Sequence, residues 1–133
     1  NEFTSYILKL FFFSIASPIV IIPIGWFFSK EIILLCYGPD FMGASPLLKL
    51  LLISFFFMIP NLVLTQVTLA SDREYFYAKI TCLAAFTNIG LNLYLIPTMG
   101  AKGAAIGTIL TEGLVMFLIG GGIMLSHRKA GLK

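Results

Sequence analysis

Glu112 stands nine residues inside the stretch Gly103–Leu125, which carries no other charged residue. A charged side chain at mid-helix in lipid costs about 2.5–3.5 kcal/mol. Such a carboxylate must be neutralised by a proton, by a cation or by hydrogen-bond donors. Two amides share its depth. Asn61 lies nine residues before Ala70, and Asn88 nine residues after Lys79. At about 1.5 Å per residue each of the three is roughly 13–14 Å from a helix end, near the middle of a hydrocarbon core about 30 Å thick. Asn92 lies one helical turn beyond Asn88, and Thr108 one turn before Glu112. These five residues are candidates to line a substrate or ion path. The competing use is interhelical hydrogen bonding, at about 0.6 kcal/mol per bond. The carboxylate favours the path, because burying it costs more than burying an amide.

The elements that must place these residues are helices. Uncharged or nearly uncharged runs predict spanning helices at about 8–29, 47–71, 79–97 and 103–125. Each approaches the length of about 20 residues that a membrane helix requires. Pro18 and Pro23 fall inside the first run and Pro60 inside the second, where each removes a backbone donor. Gly38-Pro39-Asp40 is a turn signal. Ser45-Pro46 reads as an N-cap followed by a first-turn proline. In the second run Ser54, Asn61, Thr65, Thr68 and Asp72 follow helical spacing, so one face is polar and is expected to turn towards protein or a wet cavity. Thr81, Ala85, Asn88 and Asn92 share a face of the third. In the fourth, Gly103, Gly107, Leu114 and Gly121 form a small-residue face, with Ala101, Ala105, Thr108 and Glu112 opposite. A loop of about five residues, Thr98–Lys102, predicts that the last two helices pack as an antiparallel hairpin. Asn88 and Glu112 are equidistant from that loop, so they are expected to meet.

Composition sets the class. Hydrophobic residues make up 59% of the 133 and charged residues 11%. Soluble domains carry about 25% charged residues, so the reading is an all-α, multi-pass membrane protein. The net charge of +3 is small and scattered, which points away from nucleic acid. Cys36 and Cys82 form neither a disulfide framework nor a metal spacing. His127 lies in a basic tail. No catalytic constellation is visible, and the glycines near Gly100 lack the Lys-Ser/Thr of a phosphate-binding loop. No cofactor is expected. With the N-terminus cytoplasmic, Lys9, Arg73, Lys79, Arg128, Lys129 and Lys133 fall inside and Lys30, Lys49 and Lys102 outside, as the positive-inside rule prefers. The first residue is Asn1 and no cleavable leader follows, so the chain reads as part of a longer protein.

The stretch NIGLNLYLIPTMGAKGAAIGTILTE, Asn88 to Glu112, resembles the C-terminal region of polysaccharide and lipid-linked-oligosaccharide flippases (the O-antigen flippase type). These belong to the multidrug/oligosaccharidyl-lipid/polysaccharide exporter superfamily. The likeness falls on Asn88, Asn92, Leu95-Ile96-Pro97, Gly100, Gly103-Ala104-Ala105, Thr108 and Glu112. The order YGPDF–A–PLLKLL earlier in the chain is similar to the same region. The resemblance implies a bacterial or archaeal cell-membrane protein with two helical lobes, of which this chain is the last four helices. It implies alternating-access movement of a polyprenyl-pyrophosphate-linked sugar, with the N-terminal lobe and membrane lipid as partners. Coupling to H+ or Na+ is a further expectation. Lys49 is a weak candidate for a pyrophosphate contact. A cation-coupled multidrug exporter of the same superfamily is the alternative. Two outsiders fit less well. Small four-helix multidrug transporters place their glutamate in the first helix, and a membrane sugar polymerase needs Arg or His groups on long external loops.

Overall fold

The computed structural model describes the backbone of residues 2–130 and the side chains of residues 5–125. The side chains of His127, Arg128 and Lys129, and Lys133 altogether, lie outside the described residues. The chain is all-helical, with no strand among the described residues. Helix α1 spans Glu2–Phe27, α2 Ser29–Tyr37, α3 Ser45–Leu69, α4 Glu74–Met99 and α5 Ala101–Ala130, with a 3-10 segment Pro39–Ala44 before α3. Four stretches, Ser5–Phe27, Pro39–Leu69, Glu74–Met99 and Ala101–Leu125, are long and apolar enough to cross a membrane. This is the pattern of a multi-pass membrane protein.

The four long helices run up and down. Helix α5 packs between α3 and α4, and α1 lies on the far side of α3, whereas α3 and α4 touch only sparsely. The two ends of the bundle are pinned differently. At the Arg73 end, Leu64, Ile80 and Ile119 form a buried cluster with Phe11 and Phe76 against it. At the other end Ser29 and Ser45 share a buried hydrogen bond of 2.9 Å, and Lys49 lies 5.3 Å from the Trp26 ring centre. Lys49 thus stands over an aromatic face, away from the polar residues at mid-depth. Pro18 and Pro60 are fully buried and serve as packing surface. Outward residues are large and apolar: Phe27 is 84% exposed and Phe12 76%. In lipid such a surface carries no penalty, since acyl chains are as apolar as leucine.

Several boundaries differ from the sequence reading. The first helix begins at Glu2 and yields at Phe28 to a separate short helix, α2. Ser45 is inside α3 rather than its cap: Ala44 occupies the N-cap position and makes no side-chain cap bond. The hydroxyl of Ser45 is engaged by Ser29, and the preceding 3-10 turn already feeds the chain into helical geometry. Proline still occupies the first turn, where its missing N–H is harmless. The interval between the predicted helices at 47–71 and 79–97 shrinks to a tight turn, and Tyr75, Phe76 and Tyr77 are in α4. Asp72 leaves the α3 stripe because it sits in that turn with φ of 53°, a conformation short polar side chains tolerate. The five-residue loop at Thr98–Lys102 reduces to Gly100, whose φ of 60° and ψ of −139° are open to glycine. Pro97 does not end α4, which runs on to Met99.

Candidate functional site

The α4–α5 hairpin closes around glycine. A Cβ on Gly103 would run into the backbone carbonyl of Leu95, and one on Gly107 would come 2.9 Å from Asn92 Oδ1. The two backbones therefore approach as closely as they do only because those side chains are absent. This contact fixes the rotation of α5. Successive helix residues are about 100° apart, so with Gly103 and Gly107 turned to α4, Thr111 follows one turn later on the same side. Glu112 is carried round towards α3.

The hydrogen bonds record that rotation. Asn88 Nδ2 donates to Thr111 Oγ1 at 3.1 Å, and Thr111 in turn donates to the Gly107 carbonyl at 2.8 Å. Asn92 Nδ2 donates to Asn88 Oδ1 at 2.9 Å. Asn92, Asn88 and Thr111 thus form one directional chain along the α4–α5 seam. Glu112 belongs to a second group. Asn61 Nδ2 donates to Glu112 Oε2 at 2.7 Å and to the Glu112 backbone carbonyl at 3.0 Å. The expected Asn88–Glu112 contact is therefore replaced by Asn88–Thr111 and Asn61–Glu112. Asn61 is 6% exposed, and its Oδ1 finds no partner among the described residues. Asn92 Oδ1 is likewise unpaired and buried, resting over Gly107.

The two groups meet across a cleft of about 410 Å³. Its back wall is α5, with Thr108, Thr111, Glu112 and Val115. Its sides are α3, with Asn61 and Thr65, and α4, with Tyr77, Thr81 and Asn88. The cleft exists because α3 and α4 diverge in front of α5 instead of packing together. Its volume lies within the about 300–1,000 Å³ that ligand pockets occupy. Of the five residues singled out in the sequence, Asn61, Asn88, Thr108 and Glu112 line the cleft. Asn92 does not: it stands behind Asn88 and holds that side chain in place. No Lys, Arg or His among the described residues lines the cleft, so Glu112 faces it without a counter-ion.

Thr111 and Tyr77 are the residues that sequence reasoning passed over. Thr111 had a usable signal, four residues after Gly107 and hence on the close-packed face. Tyr77 lies before the predicted start of the third helix at 79, yet its place in α4 turns it to the cleft. The small-residue face also needs correction. Gly121 has nothing near it; instead Gly113 lies against Phe57, and a Cβ on Gly122 would collide with the Phe76 ring. Comparison with known protein families, curated proteins and solved structures gives no match to this chain.

Proposed function

We propose that the chain is the C-terminal four-helix part of a flippase that moves lipid-linked oligosaccharide or polysaccharide precursors across the cytoplasmic membrane by alternating access. The observation that carries this reading is the polar cleft at mid-helix, where Asn61, Asn88, Thr108 and Glu112 from three helices converge. These groups are hydrogen-bonded within the bundle and yet open space remains among them; a bundle needing only to be stable would close that space. Passage of a sugar headgroup through lipid is opposed by the cost of stripping water from its polar groups. A cleft that offers hydrogen bonds at the depth where lipid offers none lowers that barrier. The remaining support is the resemblance of Asn88–Glu112 to the flippase C-terminal region. Alternating access then requires a second lobe facing the cleft, supplied by the rest of the protein.

The test is translocation of a labelled lipid-linked glycan in vesicles holding the full-length protein. Movement of the label to the opposite leaflet is the expected result, and its absence overturns the reading. The Glu112→Gln variant keeps an acceptor for Asn61 while removing the titratable charge. Normal membrane levels with lost export are expected from it. The cation-coupled multidrug exporter remains the second reading, favoured by one feature: a carboxylate on the cleft with no basic neighbour among the described residues.

A further inference from the structure

The cleft wall has a bias in its hydrogen-bonding capacity. Thr81, Thr108 and Thr111 each give their hydroxyl proton to a carbonyl of their own helix, Tyr77, Ala104 and Gly107, at 3.0, 3.1 and 2.8 Å. A hydroxyl has one proton and two lone pairs, so Thr81 and Thr108 are left as acceptors, and Thr111, which already accepts from Asn88, keeps one lone pair. Both bonds given by the Asn61 amide nitrogen go to Glu112. Glu112 itself accepts through Oε2 and has its other carboxyl oxygen in reserve. Only Asn88, Thr65 and Tyr77 retain protons to offer. Among the described residues the wall thus offers more acceptors than donors and no basic side chain.

A phosphate oxygen is an acceptor and negatively charged. It would meet lone pairs and a carboxyl group here, with no basic side chain to receive it. A sugar hydroxyl fits, because it brings a proton to each lone pair and can take one back from Asn88 or Tyr77. We infer that this cleft is a subsite for the hydroxyl-bearing sugar portion of the substrate and that it excludes the phosphate, which must be held elsewhere. This inference rests on the flippase reading and assigns the two chemical halves of the substrate to different places.

The test uses the full-length protein in lipid nanodiscs and three amphiphiles with the same chain: decyl maltoside, decyl phosphate and decylammonium. Affinity is read by native mass spectrometry for the wild type, Thr108→Val, Thr111→Val and Thr108→Ser. Removing one accepting hydroxyl should weaken decyl maltoside about fivefold, the loss that one neutral hydrogen bond of about 1 kcal/mol represents. Thr108→Ser, which keeps the hydroxyl, should restore it, which also separates lost binding from lost folding. Decyl phosphate should be unaffected by any of them. Equal losses for maltoside and phosphate would overturn the inference, as would a loss confined to decylammonium. Translocation of the labelled glycan is scored separately. Transport with maltoside binding indifferent to Thr108 and Thr111 sinks the subsite and leaves the flippase reading standing. The hydroxyl response without transport supports hydroxyl recognition and sinks the flippase reading.

Discussion

Asn61 commits its amide nitrogen to a single residue, and the geometry leaves it no alternative. Turning the amide over would set Oδ1 against the Glu112 backbone carbonyl, acceptor on acceptor, where Nδ2 now lies at 3.0 Å. The orphaned Oδ1 is thus the consequence of satisfying two acceptors with one nitrogen. Replacing Asn61 by Leu leaves the Glu112 carboxyl without its donor. We expect the variant to lose about 1–3 kcal/mol of stability, the range for a buried polar group stripped of its partner, measured by unfolding of the full-length protein in detergent. Glu112→Gln should cost less than Asn61→Leu, under about 1 kcal/mol, because the side-chain carbonyl still accepts from Asn61. Equal losses from both substitutions would show that the Glu112 carboxyl group itself is structural glue. Both residues were legible in the sequence, as polar groups at one depth in apolar runs. Their pairing was not, since depth follows from counting along a helix but azimuth depends on what the neighbouring helix is shaped to accept.

That azimuth is set at the level of elements. Besides Gly107 against Asn92, helix α5 meets α4 closely near each end: Gly103 under the Leu95 carbonyl and Gly122 under the Phe76 ring. Arg73 adds to the second, lying 5.0 Å from the Phe76 ring centre and donating to the Gly122 carbonyl at 3.4 Å. Between them the Asn92–Asn88–Thr111 chain holds the middle. Gly103→Ala should be strongly disruptive, by about 1–3 kcal/mol as for overpacked cores, because the obstacle is backbone and cannot rotate away. Gly121→Ala should be silent, since nothing lies near that position. Helix-length apolar runs and the Gly103–Gly107 spacing were readable in advance because periodicity encodes them. The choice between Gly121 and Gly122 was not, as either glycine continues the pattern and only the Phe76 ring on α4 decides. The same holds for Ser45, whose cap-like sequence is overridden by a partner sixteen residues away.

At the scale of the whole molecule, the four spans put Lys9, Arg73 and Lys79 towards one end of the bundle and Lys30, Lys49 and Lys102 towards the other. Arg128 and Lys129, in the last turn of α5 at the Arg73 end, turn this three-to-three balance into five against three, and the positive-inside rule then predicts that the Arg73 end is cytoplasmic. Two cysteines already in the chain report on this. Both are free and exposed. Cys36 is in the last turn of α2, beyond the first span at the end carrying Lys30, and should meet water on the outside. Cys82 is eight residues into α4, about 12 Å along the helix, so its exposed side chain faces lipid instead. A membrane-impermeant maleimide added to intact cells should therefore label Cys36 and leave Cys82 untouched. With both cysteines replaced, Asp40→Cys and Thr98→Cys should label from outside, and Arg73→Cys only after the membrane is permeabilised. The turn at Arg73 suits such a probe: Asp72 and Ser71 are exposed, and the guanidinium contributes one long hydrogen bond and a ring contact whose loss is small. Labelling of Arg73→Cys in intact cells, with Asp40→Cys silent, would invert the bundle. The cleft lies nearer the Arg73 end than the Gly100 end, bounded by Tyr77 and Val115 close to the Leu64, Ile80 and Ile119 cluster. An inverted bundle would thus move the cleft from the cytoplasmic half of the membrane to the outer half.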